Sequence, residues 1–353
     1  MAQPWSDKLR PVVPYVPGEQ SKNPNIVKLN ANENPYPPSP KAMEAIGQFD
    51  CSKLNLYPSI TSAPLVEALA AYHHLSKEQV FVGNGSDDVL ALCFLSFFHS
   101  ATPIFFPDIT YSFYPVWCGL FDIPYRQIPL DDGFRICPRD YDAPNGGVIL
   151  PNPNAPTGIS EGRAFLEDLL AHNQDVIVIV DEAYVDFGGY SALELIDQYD
   201  NLVVVHTFSK SRSLAGLRVG AAFASAPLIA QLNAVKNSYN SYPLDSIALA
   251  AATASIGDEA YFRATLKKVM DTRERTAKAL EALGFLVYPS HSNFLFVTHP
   301  NKTAEEIFLA CKEQDLFIRY FKLPRIENHL RITIGTDEQM DRLLAFLRTY
   351  LQP

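Results

Sequence analysis

The sequence has no apolar run long enough to cross a bilayer, because charges or prolines interrupt every candidate. Its first residues, Met1 to Asp7, have neither the basic nor the apolar region of a secretory signal. Cysteine is sparse: Cys51, Cys93, Cys118, Cys137 and Cys311 are scattered without C-x-x-C spacing. That excludes a disulfide framework and a structural zinc site, and it suits a reducing cytoplasm. Positive charge is in deficit, with 29 Lys and Arg against 39 Asp and Glu and a net charge of -10. Such a balance excludes non-specific nucleic-acid binding, and an anionic substrate must then be held by local arginines against the overall field. Neither G-x-G-x-x-G nor G-x-x-x-x-G-K-[ST] occurs, which argues against a dinucleotide, hence a dehydrogenase, and against a nucleoside triphosphate. Internal repeats, low-complexity tracts and a basic DNA-binding segment are also missing, which disfavours a regulator of transcription.

What is present is a chain of 353 residues, 47% hydrophobic and rich in proline, with 27. The length accommodates two domains sharing one extended core. Residues 1–45 are read as a proline-rich arm joined to part of a small domain, 46–245 as a large domain, and 246–353 as a small C-terminal domain. In the large domain, apolar β-branched runs alternate with helical patterns, the signature of an α/β fold with a mostly parallel sheet flanked by helices. The runs are Gln79–Val82, Pro103–Pro107, Gly147–Leu150, Val176–Val180 and Leu202–Val205. Beyond Pro243 the pattern changes to helices at Ser246–Ile256 and Glu259–Leu283. Short strands follow near residues 285, 293, 316 and 330, and a last helix spans Asp337–Tyr350, which reads as α+β.

Ligands of parallel sheets sit at the carboxyl ends of the strands. Gly85, Tyr111, Asn154, Asp181 and Lys210 each follow a predicted strand, so they converge on one edge. Lys210 offers an amine that can attack a carbonyl. A carboxylate at a strand end, Asp181, can hold the proton of a ring nitrogen. Tyr111 can cover a flat ring. Tyr184 and Asn154 can meet a ring hydroxyl. Gly85, Ser86 and Asp87 open a helix after a glycine turn, and with Thr207, Ser209 and Arg218 they suit a phosphate. Each residue alone has an ordinary structural reading, as cap, core or surface charge; their joint order along the chain points to an aromatic aldehyde cofactor.

These residues, with Leu29–Pro35, Tyr57-Pro58, the loop Pro153–Gly158, Asp181–Tyr184, Tyr242–Leu244, Ser292–Phe294 and Leu330–Thr336, resemble the fold-type I pyridoxal-phosphate aminotransferases throughout the chain. The resemblance implies pyridoxal 5'-phosphate as cofactor, with Lys210 attaching it and moving the substrate proton. Asp181 would then pair with its ring nitrogen, and Tyr111 would stack on the ring. It implies a homodimer in which Tyr57 reaches the neighbouring subunit's cofactor phosphate. Arg331 and Arg319 would grip the substrate anion, while Tyr15 and Asn30 would close over it. The arm and C-terminal segments favour the branch that moves an amino group from L-histidinol phosphate to 2-oxoglutarate. An aromatic amino-acid aminotransferase and a threonine-phosphate decarboxylase of the same fold are the alternatives, and a pocket lined by Tyr15, Tyr111 and Tyr239 would suit other flat rings. One departure stands out: the family places asparagine before the proline of its Asn-Pro-Thr-Gly motif, and this chain has Ala155 there, leaving Asn154 or Tyr184 to meet the ring hydroxyl.

Overall fold

Two sheets of different construction frame the molecule, and the computed structural model describes residues 5–15, 23 and 25–352. Part of the expected arm, residues 1–4, 16–22 and 24, lies outside the described residues. The first elements are β1 (Val27–Leu29), α1 (Pro40–Gly47), α2 (Ala63–His73), β2 (Val80–Gly83), α3 (Ser86–Phe97) and β3 (Ile104–Pro107). They are followed by α4 (Tyr114–Phe121), β4 (Tyr125–Ile128), β5 (Val148–Pro151), α5 (Arg163–His172), β6 (Val178–Asp181), β7 (Leu202–Thr207) and β8 (Gly220–Ala224). The remainder comprises α6 (Ala226–Tyr239), α7 (Ser246–Ile256), α8 (Glu259–Ala282), β9 (Leu286–Val287), β10 (Phe294–Thr298), α9 (Ala304–Glu313), β11 (Leu316–Tyr320), β12 (Leu330–Thr333) and α10 (Asp337–Tyr350).

The large sheet has seven strands in the order β2-β8-β7-β6-β5-β3-β4. Only β8 runs against its neighbours; the remaining pairs are parallel. Strands β5 and β6 and the start of β7 are buried on both faces because helices cover both, so up to the last residue of β5 and β6 their sequences are Val, Ile and Leu. Burying each such side chain contributes about 1.5–3 kcal/mol. The reversal of β8 has a local consequence. Its first residue, Gly220, lies beside Gly83 of β2 and Thr207 of β7, at their carboxyl ends. Arg218, two residues earlier, is thereby delivered to the ligand edge.

The second sheet has the order β1-β11-β12-β10-β9. Here β1 joins in parallel to β11, while the other pairs are antiparallel. Helices α8, α9 and α10 cover it, burying Leu266, Val269, Ile307, Met340 and Leu343 against Leu295, Ile318 and Ile332. Thr303 and Thr336 start α9 and α10 with capping boxes, each hydroxyl accepting from the backbone three residues on. Helix α7, which follows the boundary drawn at residue 245, packs with the large sheet: Ala248, Ala251 and Ala252 lie in one core with Leu65, Leu69 and Val204.

Candidate active site

A cavity of about 420 Å³ lies where the strand ends of the large sheet face the second sheet. Lys210, Asp181, Tyr111, Ser86, Asp87, Tyr184, Thr207, Ser209 and Arg218 line its large-sheet side. Tyr15, Asn30, Arg319 and Arg331 line the other side. The two sheets therefore bring most of the expected residues together.

Asp181 ends β6 and is only 4% exposed. Burial raises its carboxyl to about 6, although the Tyr114 hydroxyl donates to Oδ2 at 3.0 Å and the Ala183 N–H to Oδ1 at 3.2 Å. Both donors favour the ionised form, but desolvation outweighs them. Tyr111 donates its hydroxyl to Asp87 Oδ1 at 2.8 Å, and burial pushes its own pKa up. Lys210 Nζ donates to the Ala31 carbonyl at 3.3 Å and lies 5.8 Å from the centre of the Tyr184 ring.

At the far end of the same edge, Gly85 caps α3 with φ +85. A Cβ there would meet the Arg218 guanidinium at 2.5 Å, and one on Gly220 would meet the Gly85 backbone at 2.5 Å. Both positions need glycine: the first for its backbone angle and the closeness of Arg218, the second for closeness alone. Arg218 itself holds a left-handed backbone, φ +53, and donates to Asp87 at 3.1 Å and Ser209 Oγ at 3.3 Å. A helix N-terminus, two hydroxyl residues and a guanidinium thus share one small volume. That combination suits a phosphate.

The profile of the family described as aminotransferase class I and II matches residues 24–347. The chain belongs to the class I and II aminotransferases. It is 54% identical over 350 residues to the histidinol-phosphate aminotransferase of Acinetobacter baylyi, spanning 98% of this chain and 97% of that one. It is 51% identical over 348 residues to the histidinol-phosphate aminotransferase of Lactococcus lactis subsp. cremoris, spanning 99% and 98%. The crystal structure of histidinol-phosphate aminotransferase from Sinorhizobium meliloti in complex with pyridoxal-5'-phosphate has the same fold. It superposes with a TM-score of 0.81 at 24% identity, covering 92% of this chain and 91% of that one.

An aminotransferase of this fold needs a place for pyridoxal phosphate, and the residues present fit it. The glycine cradle beside Arg218 suits a phosphate. The buried Asp181, whose charge is disfavoured alone, is suited to a ring N–H⁺ that would restore it. Lys210 lies between them along the chain.

Four expected residues lie outside the lining of this cavity. Gly85 shapes the cradle from behind, without lining the cavity. Asn154 turns its amide away: Nδ2 donates to the Ile109 carbonyl at 3.0 Å and to Thr157 Oγ1 at 3.1 Å. Its Oδ1 is buried without a partner, and Ala155 and Pro156 line the cavity in its place. The loop's own hydrogen bonds claim this asparagine's amide, and of the two residues expected at a ring hydroxyl only Tyr184 lines the cavity. Tyr57 is 84% exposed and stacks on Tyr242 at 4.8 Å, outside the cavity of its own chain. Tyr239, expected to line the pocket, is likewise exposed and does not line the cavity.

Sequence reading also missed several supports. Asn32 donates to the Tyr184 hydroxyl at 2.9 Å, accepts from Thr333 Oγ1 at 3.0 Å, and holds Asn293 through its carbonyl. Asn34 donates to the carbonyls of Lys210 and Ser211 at 3.0 and 3.3 Å. The spacing of Asn30, Asn32 and Asn34 was the available signal. Behind the strand ends, His206 Nε2 meets the fully buried Glu182 at 2.8 Å, and Glu182 also accepts from Ser191 and the Ala192 N–H. Burial would lower the imidazole pKa, but the Glu182 bond and charge override it and raise it. The pair ties β7 to the turn after β6; removing one member of such a buried pair costs about 3–5 kcal/mol.

At the second-sheet side, Arg319 and Arg331 stand directly opposite each other on β11 and β12. Arg331 donates to the Asn30 carbonyl at 3.0 Å, while its Nε is buried with no partner. Burial, with Arg319 beside it, lowers its pKa. Neither arginine forms an ion pair among the described residues, so two converging guanidinium groups are left for an anion.

Proposed function

We propose that this aminotransferase uses pyridoxal 5'-phosphate to move the amino group of L-histidinol phosphate to 2-oxoglutarate, giving imidazole-acetol phosphate and L-glutamate. The observation that carries this reading is the pair of unpaired, convergent guanidinium groups, Arg319 and Arg331, in the cavity that also holds Lys210 and Asp181. Identity above 50% to two histidinol-phosphate aminotransferases along nearly the whole chain supports the choice of substrate.

When bound, the cofactor supplies an electron sink conjugated to the substrate amine. The chain's residues do the rest. Arg218, Ser209, Thr207 and the α3 N-terminus hold the phosphate. Asp181, steadied by Tyr114, keeps a proton on the ring nitrogen. Tyr111 covers one ring face, with its hydroxyl anchored on Asp87. Lys210 attaches the cofactor and, once displaced by substrate, its amine carries a proton to and from the substrate carbon. Arg319 and Arg331 seat the phosphate of the donor and a carboxylate of the acceptor in turn, since a guanidinium fork matches either. Tyr15, stacked on Phe113 at 4.4 Å, and Asn30 border that seat.

The working unit on this reading is a homodimer in the cytoplasm. Leu54, Leu56, Tyr57, Ile60, Tyr239 and Tyr242 are all exposed. A second copy covering them would bring Tyr57 to the neighbour's cofactor phosphate. The cytoplasmic assignment rests on five unpaired cysteines, two of them exposed. No helix among the described residues is long and apolar enough to cross a membrane. The domain division is 1–45, 46–245 and 246–353, with α7 packed on the large side.

The deciding experiment compares kcat/KM for histidinol phosphate and phenylalanine, with carbon dioxide release from threonine phosphate as a third arm. Histidinol phosphate should lead; a preference for phenylalanine, or decarboxylation, overturns the assignment.

A further inference from the structure

The cavity wall holds an ion pair that none of these steps uses. Lys28 Nζ lies 2.7 Å from Glu33 Oε1, with side chains 38% and 47% exposed. Both residues line the cavity with Arg319 and Arg331. Lys28 is the outward residue of β1, between the buried Val27 and Leu29, and pairs in register with Phe317 of β11, two residues before Arg319. Glu33 follows Asn32, whose backbone is left-handed, φ 54, and whose side chain is tied to Thr333 and Tyr184. The carboxylate is therefore presented from a fixed turn.

The problem this pair addresses follows from the function proposed above, on which this inference rests. One cavity must take two substrates in alternation. Both offer an anion to Arg319 and Arg331. Their far ends differ in sign: an imidazole donates N–H and becomes cationic when protonated, whereas glutamate and 2-oxoglutarate end in a second carboxylate. A wall of one sign would hold one substrate and repel the other.

We propose that Lys28 and Glu33 form a divisible pair that reads these two ends. Glu33 accepts from the imidazole of histidinol phosphate, and Lys28 donates to the distal carboxylate of glutamate or 2-oxoglutarate. Each substrate replaces one member of the pair as the other's counter-ion. The exchange is cheap, because a half-exposed ion pair contributes little. A charge-assisted bond to the bound substrate favours it by about tenfold or more, enough to set preference.

The test uses full-length, cofactor-loaded enzyme and follows the two half-reactions separately, with dissociation constants measured by calorimetry for histidinol phosphate and for 2-oxoglutarate. Glu33→Gln should lower kcat/KM and affinity for histidinol phosphate by about tenfold or more. It should leave the glutamate side within about twofold. Lys28→Met should do the reverse, and Glu33→Asp should recover most of the first loss. Melting temperatures should stay close to that of the parent, because both side chains are half exposed. Equal losses in both half-reactions, or no change in either, overturn the proposal. Unsubstituted enzyme that accepts glutamate but ignores histidinol phosphate overturns the function beneath it instead, and that result is read without any variant.

Discussion

The carboxylates on one side of the cavity and the arginines on the other are supplied with partners to different degrees. On the large-sheet side, the carboxylates have donors within the chain: Asp181 accepts from Tyr114 and Ala183, and Asp87 accepts from Tyr111 and Arg218. On the second-sheet side Lys28 is paired with Glu33, but Arg319 and Arg331, opposite each other on β11 and β12, form no ion pair among the described residues. On the proposed function, a resident cofactor would be held by groups already ordered, whereas substrates that come and go would be drawn by the arginines left without a counter-ion. The contrast also separates what each side contributes to folding. Pre-satisfied groups cost little when the ligand leaves, but like charges held together cost stability whenever the seat is empty.

The largest expected effect breaks the comparison at its centre. Lys210→Ala should lower kcat by more than about 10³-fold, since both attachment and proton transfer reside in one amine. Borohydride reduction followed by peptide mass mapping should then find no cofactor on the peptide containing residue 210. Retained activity and attachment would remove Lys210 from its assigned role.

Asp181→Asn should come next, with a fall in kcat of about 10²-fold or more. It carries a pH signature as well. The folded carboxyl, near 6, lies above the usual aspartate value. The stability it contributes is therefore full below the unfolded pKa and is lost as pH rises through about 6. Cofactor-free Asp181→Asn protein should accordingly melt higher than the parent at pH 7–8, with the gap closing toward about pH 4. A lower melting temperature at pH 8 would contradict the desolvation argument.

Arg331→Lys sharpens the other side. A lysine keeps the charge but loses the two-pronged donor geometry, so KM for both substrates should rise about tenfold with smaller change in kcat. Steady-state kinetics of each half-reaction would check it, and a loss confined to one substrate would separate the roles of Arg319 and Arg331. Tyr57→Phe should have the smallest effect, a few-fold weaker retention of cofactor, about 1 kcal/mol for one hydrogen bond. Equilibrium dialysis at concentrations that keep the assembly intact would measure it, and unchanged retention assigns Tyr57 to packing alone.

Much of this arrangement was legible in residue patterns. The strands that end at Asp181 and Thr207 are built on β-branched runs, Val178–Val180 and Val203–Val205, and helices Ser246–Ile256 and Asp337–Tyr350 have the boundaries their patterns predict. The less legible parts share a physical cause. Strand β4 is an edge strand with three exposed residues of four, so it carries little apolar signal. The reversal of β8 is set by pairing, which local sequence does not encode. Asn154 sits beside Ala155 in a motif that invites a ligand role, yet Ile159, Ile109 and Thr157 compete for its backbone and side chain and win. Tyr114 reads as one more aromatic in a cluster until the fold brings its hydroxyl to a residue 67 positions away. Helix α7 is mostly small and apolar, so its composition does not reveal which domain it faces.

Asn32 and Asn34 fasten three places at once: the second sheet through Thr333 and Asn293, the ring-facing Tyr184, and the backbone that carries Lys210. Residues 32–34 therefore work as a seam between the two bodies. Any hinge that lets the second sheet swing has to bend on one side or the other of that seam. Trimming the polypeptide back beyond it would loosen the nucleophile's own backbone along with the cover.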